Sequence, residues 1–290
     1  MSPTDPSDTP GTAGTPVSPA SGDRPAAGPA ARLHSRSTGD GPPLVLAHGF
    51  TQTGLVWGTM DEDLASDHRV TAVDLPGHGR SSGVHASLPD GAALLGRAGG
   101  RAAYLGYSMG ARFCLHLALA RPDLVEALVL VSGTAGIEHA AERAERRQAD
   151  EALAEQLDPL TEPRTAAVPL ETFLRRWMEG PMFAGIGPEE GGLAQRLTNT
   201  GAGLASSLRL AGTGTQQPLW HELSRLDMPV LVVTGELDAK FTALGERMAA
   251  AIGPNARHAV VPGGGHAPHL QFPVLVGDLV RSGLGRSGGR

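Results

Sequence analysis

Short runs of β-branched and aliphatic residues, four or five long and lacking polar alternation, recur along this chain between longer stretches of mixed character. Pro43-Leu44-Val45-Leu46-Ala47, Arg69-Val70-Thr71-Ala72-Val73 and Ala102-Ala103-Tyr104-Leu105 are three of them. Leu128-Val129-Leu130-Val131, Val230-Leu231-Val232-Val233 and His258-Ala259-Val260-Val261 are three more. A strand with one face in water alternates apolar and polar positions, whereas a strand covered on both faces has no need to. The six runs therefore predict parallel strands under helices. Their alternation with helix-length segments predicts an α/β chain with a doubly wound, mostly parallel sheet. His48-Gly49-Phe50 begins the turn after the first run, and Asp74-Leu75-Pro76-Gly77-His78-Gly79 reads as a loop from its Pro and Gly.

The rhythm breaks between about residues 135 and 217. Glu138 to Leu157, Leu170 to Met178 and Leu193 to Leu210 are helical in pattern, and no strand run interrupts them. An insertion of this length between two sheet strands predicts a helical cap (135–217) over a core made of 31–134 and 218–290. The cap would cover the carboxyl ends of the strands, where open α/β sheets bind ligands. Residues 1–30 are rich in Pro, Ala, Gly, Ser and Thr, with no aromatic residue and no continuous apolar core for a secretory signal. Such a tail buries too little apolar area to offset the entropy of ordering, and disorder is expected.

Composition narrows the function classes. Charged residues are 19% of the 290 and the net charge is -6, so neither nucleic acid nor an anionic membrane surface is an expected partner. No run of 18 apolar residues is present to span a bilayer. Cys114 is the single cysteine, which excludes an intrachain disulfide and fits a reducing, cytoplasmic setting. Lys240 is the single lysine; every other cation is arginine, as a coding bias would produce. No His/Cys/Asp cluster has metal-ligand spacing, and no G-x-G-x-x-G follows a strand, so no metal or nucleotide cofactor is expected.

The pattern G-x-S-x-G occurs three times: around Ser81, around Ser108 and at Gly285-Arg286-Ser287-Gly288-Gly289. Context separates them. A nucleophilic serine of this kind sits on a tight turn from strand to helix, with flanking glycines because side chains there would collide. Gly106-Tyr107-Ser108-Met109-Gly110 alone follows a strand and precedes an apolar helix, Phe113 to Leu119. A carboxylate and an imidazole follow in the order this arrangement uses. Asp238 stands just after the fifth run, with Glu236 and Asp227 as rivals; His266 follows Gly263-Gly264-Gly265 after the sixth, with His269 as its rival. Asp238 would orient the ring, and His266 would take the proton of the Ser108 hydroxyl. Backbone N–H groups of Met109 and Phe50 are the expected oxyanion donors. His48 and His78 read as loop supports, His116 as part of a core-facing helix, and Cys114 as a small buried apolar residue.

Arg112 lies one helical turn beyond Ser108, in a helix that is otherwise apolar. Arg143, Arg146 and Arg147 share a stripe in Glu142-Arg143-Ala144-Glu145-Arg146-Arg147, which taken alone is a solvated, salt-bridged face. Gly106-Tyr107-Ser108-Met109-Gly110-Ala111-Arg112, the Glu-Arg-Ala-Glu-Arg-Arg-Gln-Ala-Asp run at 142–150, Arg175-Arg176-Trp177 with Pro181-Met182-Phe183, and Gly235-Glu236-Leu237-Asp238-Ala239-Lys240-Phe241 resemble the 2-succinyl-6-hydroxy-2,4-cyclohexadiene-1-carboxylate synthases of menaquinone biosynthesis, members of the α/β-hydrolase superfamily. The likeness runs over roughly residues 32–280. It implies an α/β-hydrolase fold with the triad Ser108, Asp238 and His266 and an oxyanion site at Phe50 and Met109. It also implies a substrate pocket lined by Tyr107, Arg112, Arg146, Trp177 and Arg196. Ala111 stands where the family usually has a second glycine, and the stretch between Ser87 and Gly100 is short for the helix expected there.

The family substrate carries three carboxylates, which suits arginines beside the nucleophile, since the guanidinium fork matches a carboxylate. The implied reaction is a lyase step: the Ser108–His266–Asp238 relay removes the ring proton next to the succinyl ketone, the enolate rests on the two amides, and pyruvate is eliminated. A serine hydrolase of ester or carbon–carbon bonds would use the same triad, and an inactive small-molecule receptor would keep only the scaffold.

Overall fold

The computed structural model describes residues 31–158 and 169–285; the tail at 1–30 expected to be disordered and the third G-x-S-x-G copy lie outside the described residues. In chain order the first half runs β1 (Ser35–Thr38), β2 (Pro43–Ala47), α1 (Met60–Leu64), β3 (Arg69–Val73), α2 (Leu88–Gly99), β4 (Ala102–Tyr107), α3 (Met109–Ala120) and β5 (Val125–Val131). Then come α4 (Ala140–Leu157), α5 (Leu170–Met178), α6 (Leu193–Arg196) and α7 (Gly201–Ala211). The chain closes with β6 (Val230–Gly235), α8 (Ala239–Ile252), β7 (Ala256–Val261), α9 (Pro268–Gln271) and α10 (Pro273–Leu284). The described strands form one seven-stranded sheet in the order β1-β3-β2-β4-β5-β6-β7. Every pairing is parallel except that of β1 with β3.

The six apolar runs are β2 to β7, and alternate side chains of each strand enter opposite cores, as the pleat requires. Val45, Tyr104, Leu128, Leu130 and Val232 pack with residues of α2, α3 and α8. Leu44, Leu46, Leu105, Val129 and Val233 pack with α1 and α10 on the other face. Two strands depart from the expectation of full cover. β1, with sequence SRST, has no apolar signal because it is an exposed edge. β7 is the opposite edge, and its Val260 is 42% exposed.

Helix positions differ from the pattern in two places. The stretch after Ser87 is long enough after all: α2 has 12 residues, its first turn capped by the Ser87 hydroxyl and its end turned by Gly100 at φ 65. The expected single helix from Leu193 to Leu210 is two, α6 and α7. Thr200 starts α7 by accepting from the Gly203 N–H, and the Asn199 amide donates to the Arg196 carbonyl, so two side chains replace helical backbone bonds between them. The helices between β5 and β6 carry an apolar cluster of their own, including Ala154 and Leu157 of α4, Phe173 and Leu174 of α5, and Leu204 and Leu208 of α7. No helix among the described residues is long and apolar enough to cross a membrane.

Candidate active site

Ser108 sits between β4 and α3 with φ 50 and ψ -103, a conformation non-glycine residues avoid and that costs about 1–3 kcal/mol. Its N–H donates to the Val131 carbonyl at 2.8 Å, tying the turn to β5. The flanking glycines are required by close approach. A Cβ at Gly110 would lie 1.8 Å from the Ala47 carbonyl oxygen, and one at Gly106 would lie 2.5 Å from the Gly110 carbonyl. The Ser81 copy of the motif has a different setting: a 3-10 turn at Gly79–Ser81, where the buried hydroxyl accepts from the His34 N–H.

The Ser108 Oγ lies 3.1 Å from His266 Nε2, and His266 Nδ1 lies 2.6 Å from Asp238 Oδ2. An ionised carboxylate only accepts, so Nδ1 carries the ring proton and Nε2 is left to accept from the hydroxyl. Asp238 caps α8 at the tip of β6, its other oxygen accepting from the Phe241 N–H at 3.2 Å. The Phe241 ring meets the imidazole edge-on at 4.4 Å. Gly235 is needed where the chain approaches the 263–265 loop, since a Cβ there would lie 2.1 Å from the Gly265 carbonyl oxygen. The rivals lie elsewhere. Glu236 accepts from the Gly263 N–H, Asp227 is exposed before β6, and His269 is buried against Tyr107 and Trp57. Burial holds the His269 ring neutral, its pKa lowered to about 3, and neither nitrogen bonds a described residue.

Met109 and Phe50, whose N–H groups are the expected oxyanion donors, line the same cavity as Ser108. Met109 opens α3, so its N–H has no intrahelical acceptor. Phe50 follows β2 in a loop that is tied down at every polar group of its neighbour Thr51, which has φ 66. The Thr51 N–H donates to His78 Nε2 at 3.3 Å, its carbonyl accepts from Asn199 Nδ2 at 2.7 Å, and its hydroxyl accepts from Arg196 Nη1. His48 and His78 support this loop as neutral rings. Each has Nδ1 against a backbone carbonyl and uses Nε2 to accept a backbone N–H. Burial, the largest cause, lowers their pKa values to about 4 and about 3.

Above the hydroxyl lies a cavity of about 940 Å³, with Ser108 and His266 in its floor and residues of α4, α5 and α7 in its walls. Of the residues expected to surround the substrate, Phe50, Met109, Arg112, Arg146 and Trp177 line it; Tyr107 and Arg196 are not on its wall. Tyr107 is buried, its ring 4.3 Å from His269, and burial pushes its hydroxyl pKa up. Arg196 is wholly buried: Nε donates to the Gly191 carbonyl at 2.8 Å, and the guanidinium carbon stands 5.1 Å from the centre of the Phe183 ring.

Arg112 is the cation nearest the chemistry along the chain. It is 6% exposed, donates Nη1 to the Ala211 carbonyl at 2.8 Å, and pairs with no carboxylate among the described residues. Burial first, then Arg146, lowers its pKa to about 10 against the opposing charge of Asp150, so the group stays charged at neutral pH. Arg146 donates Nε to the buried Asp150 at 2.8 Å, and its side chain is 42% exposed. Three further residues that the sequence reading did not place in the pocket also line the cavity. Ser132 is buried at the end of β5 with φ 48, and Lys240 stands beside Phe241. Arg247 stacks on Trp220 at 3.8 Å and forks onto Glu138. Cys114 is buried, with its thiol pKa raised by burial. His116 lies one turn beyond Arg112, its pKa lowered to about 4 by burial and by that charge.

The alpha/beta hydrolase fold family matches residues 42–273 of this sequence. A Bacillus subtilis (strain 168) protein provisionally assigned as a 2-succinyl-6-hydroxy-2,4-cyclohexadiene-1-carboxylate synthase is 32% identical over 82% of this chain and 88% of its own length. The synthase of that name from Escherichia coli O1:K1 / APEC is 31% identical over 81% and 90%. A pimeloyl-[acyl-carrier protein] methyl ester esterase of Xanthomonas campestris pv. campestris (strain B100) is 32% identical over 86% of the chain and 97% of its own length. Among solved structures, MenH from S. aureus superposes with a TM-score of 0.78 at 28% identity, covering 88% of this chain and 99% of that one. The chain belongs to the alpha/beta hydrolase fold family, on its 2-succinyl-6-hydroxy-2,4-cyclohexadiene-1-carboxylate synthase branch.

Proposed function

We propose that this protein is a carbon–oxygen lyase. It eliminates pyruvate from 2-succinyl-5-enolpyruvyl-6-hydroxy-3-cyclohexene-1-carboxylate to give 2-succinyl-6-hydroxy-2,4-cyclohexadiene-1-carboxylate. Besides the relatives, one observation carries the reading: Arg112 is a buried guanidinium on the cavity wall that no described carboxylate contacts directly, Asp150 acting on it only at longer range. A buried cation is costly unless something neutralises it, and a carboxylate substrate does so on binding. An apolar ester would leave it only the longer-range charge of Asp150, which Arg146 already shares. Arg146, with only Nε committed to Asp150, offers its terminal nitrogens to a second carboxylate.

In this reading the His266 imidazole, oriented by Asp238, draws the Ser108 proton, and the serine oxygen takes the ring proton beside the succinyl ketone. The electron pair moves through the ring double bond and expels the enolpyruvyl oxygen from its carbon, and the departing enolate is protonated to pyruvate. Charge developing on the ketone oxygen is held by the Phe50 and Met109 amides, where loss of one donor costs roughly 3–4 kcal/mol. No acyl-enzyme forms, so water need not enter; α4 to α7 serve as the cap that keeps the trianion in place. The Xanthomonas relative supports the serine hydrolase reading, in which Ser108 is acylated. The deciding experiment supplies purified protein with the enolpyruvyl substrate and follows pyruvate by a lactate dehydrogenase couple. Release abolished by Ser108→Ala is expected. Steady p-nitrophenyl ester hydrolysis, without pyruvate and insensitive to Arg146→Ala, would overturn it.

A further inference from the structure

We infer that Arg196, with Asn199, is a positioning residue that clamps the oxyanion loop rather than a ligand of the substrate. The inference rests on the proposed role of the Phe50 amide. Arg196 has the charge and residue type of a carboxylate ligand, but its place in the fold is different. It is absent from the cavity wall and fully buried, and no described carboxylate pairs with it. What it touches is the loop: Nη1 donates to the Thr51 hydroxyl and stands 3.5 Å from the Phe50 carbonyl oxygen. Asn199, one turn on, donates to the Thr51 carbonyl at 2.7 Å and accepts from the Gly79 N–H at 2.8 Å, so it bridges the loops after β2 and β3.

Thr51 explains why a clamp is needed. A β-branched residue resists a φ of 66, and a short loop left to itself would relax by rotating its peptides. Rotation about the bonds that flank Thr51 would shift the Phe50–Thr51 peptide and, through so short a loop, the preceding peptide that carries the Phe50 N–H, one of the two proposed oxyanion donors. Arg196 holds the Phe50 and Thr51 side of that peptide, Asn199 the far side of Thr51, and Gln52 fixes the near side by accepting from the Gly49 N–H at 2.9 Å. Preorganisation of this kind affects the transition state more than ground-state binding.

The test compares wild type with Arg196→Gln, Asn199→Ser and the double variant Arg196→Gln/Thr51→Gly. With the enolpyruvyl substrate, the single variants should lose about 10- to 100-fold in kcat while KM stays within about twofold. Their affinity for phenylboronic acid should fall in parallel, because its tetrahedral anion on Ser108 uses the same two amides. The double variant should regain part of the lost kcat, since glycine adopts the left-handed conformation without the clamp. A tenfold rise in KM at unchanged kcat would make Arg196 a substrate ligand and overturn the inference, as would unchanged boronate affinity. Where Arg196→Gln fails to fold, Asn199→Ser alone carries both readouts. If the wild type releases no pyruvate, the proposed reaction fails, and the boronate series still decides the clamp.

Discussion

Ser108 holds its hydroxyl in position through a strained backbone, and two substitutions separate that strain from the chemistry. Ser108→Ala and Ser108→Gly both remove the 3.1 Å contact with His266, but only glycine also removes the Cβ that disfavours φ 50. Relief of a sparsely populated conformation is worth about 1–3 kcal/mol. Against it stand about 0.5–1 kcal/mol for the greater freedom of an unfolded glycine and roughly 0.4 kcal/mol for half of a buried methylene. The balance is about +1 kcal/mol in favour of glycine, which for a domain of this size raises the melting temperature by about 2–4 °C. Differential scanning calorimetry of the two inactive variants, side by side, measures it. A Ser108→Gly variant that melts at or below Ser108→Ala would refute the claim that the turn stores strain for the nucleophile.

Arg112→Gln should raise KM for the tricarboxylate about 10- to 100-fold, the equivalent of one charge-assisted hydrogen bond of roughly 1.5–3 kcal/mol. Hydrolysis of a neutral p-nitrophenyl ester should stay within about twofold, and equal losses on both substrates would count against a carboxylate at this arginine. Acid should destabilise the fold early, because burial lowers the pKa of His48 to about 4 and those of His78 and His269 to about 3. The unfolded chain takes up protons below the ordinary value of about 6.5 that the native rings refuse. Stability is then complete above that pH and falls by about 2 kcal/mol per ring at about pH 5; urea midpoints that do not change over this range would refute it.

The sheet was legible because a buried parallel strand must be apolar on both faces, and six runs announced themselves that way. β1 was not, since an exposed antiparallel edge needs neither apolar residues nor a repeat. Ser108, Asp238 and His266 were singled out because each follows a strand run and glycines mark the turns that bring them together. Tyr107 and Arg196 came in through the family resemblance and not from the pattern of the chain; the tyrosine is buried against His269, and the arginine bonds the loop at Thr51. Asn199 offered no signal at all. It lies inside an apparently continuous helical pattern, and its role arises from a contact 148 residues away with Thr51.

The same Ser-His-Asp geometry serves esterases and lyases, so reaction type has to come from what the cavity does with charge. Counting formal charges on its wall is misleading, because Glu142 and Glu145 of α4 face it alongside the arginines. Those two acids are exposed, and water and salt screen them. Arg112, nearly sealed from solvent one helical turn from the nucleophile, is not screened, and Asp150 already answers Arg146 through a single nitrogen. The effective field at Ser108 is therefore set by depth and not by number. In the proposed reaction, a substrate that brings a carboxylate down to Arg112 fixes its ring against the serine oxygen and leaves its ketone oxygen to the two amides. An ester without that carboxylate leaves Arg112 only the shared, longer-range charge of Asp150, so in the proposed reaction the arginine weighs more than the triad in separating elimination from hydrolysis.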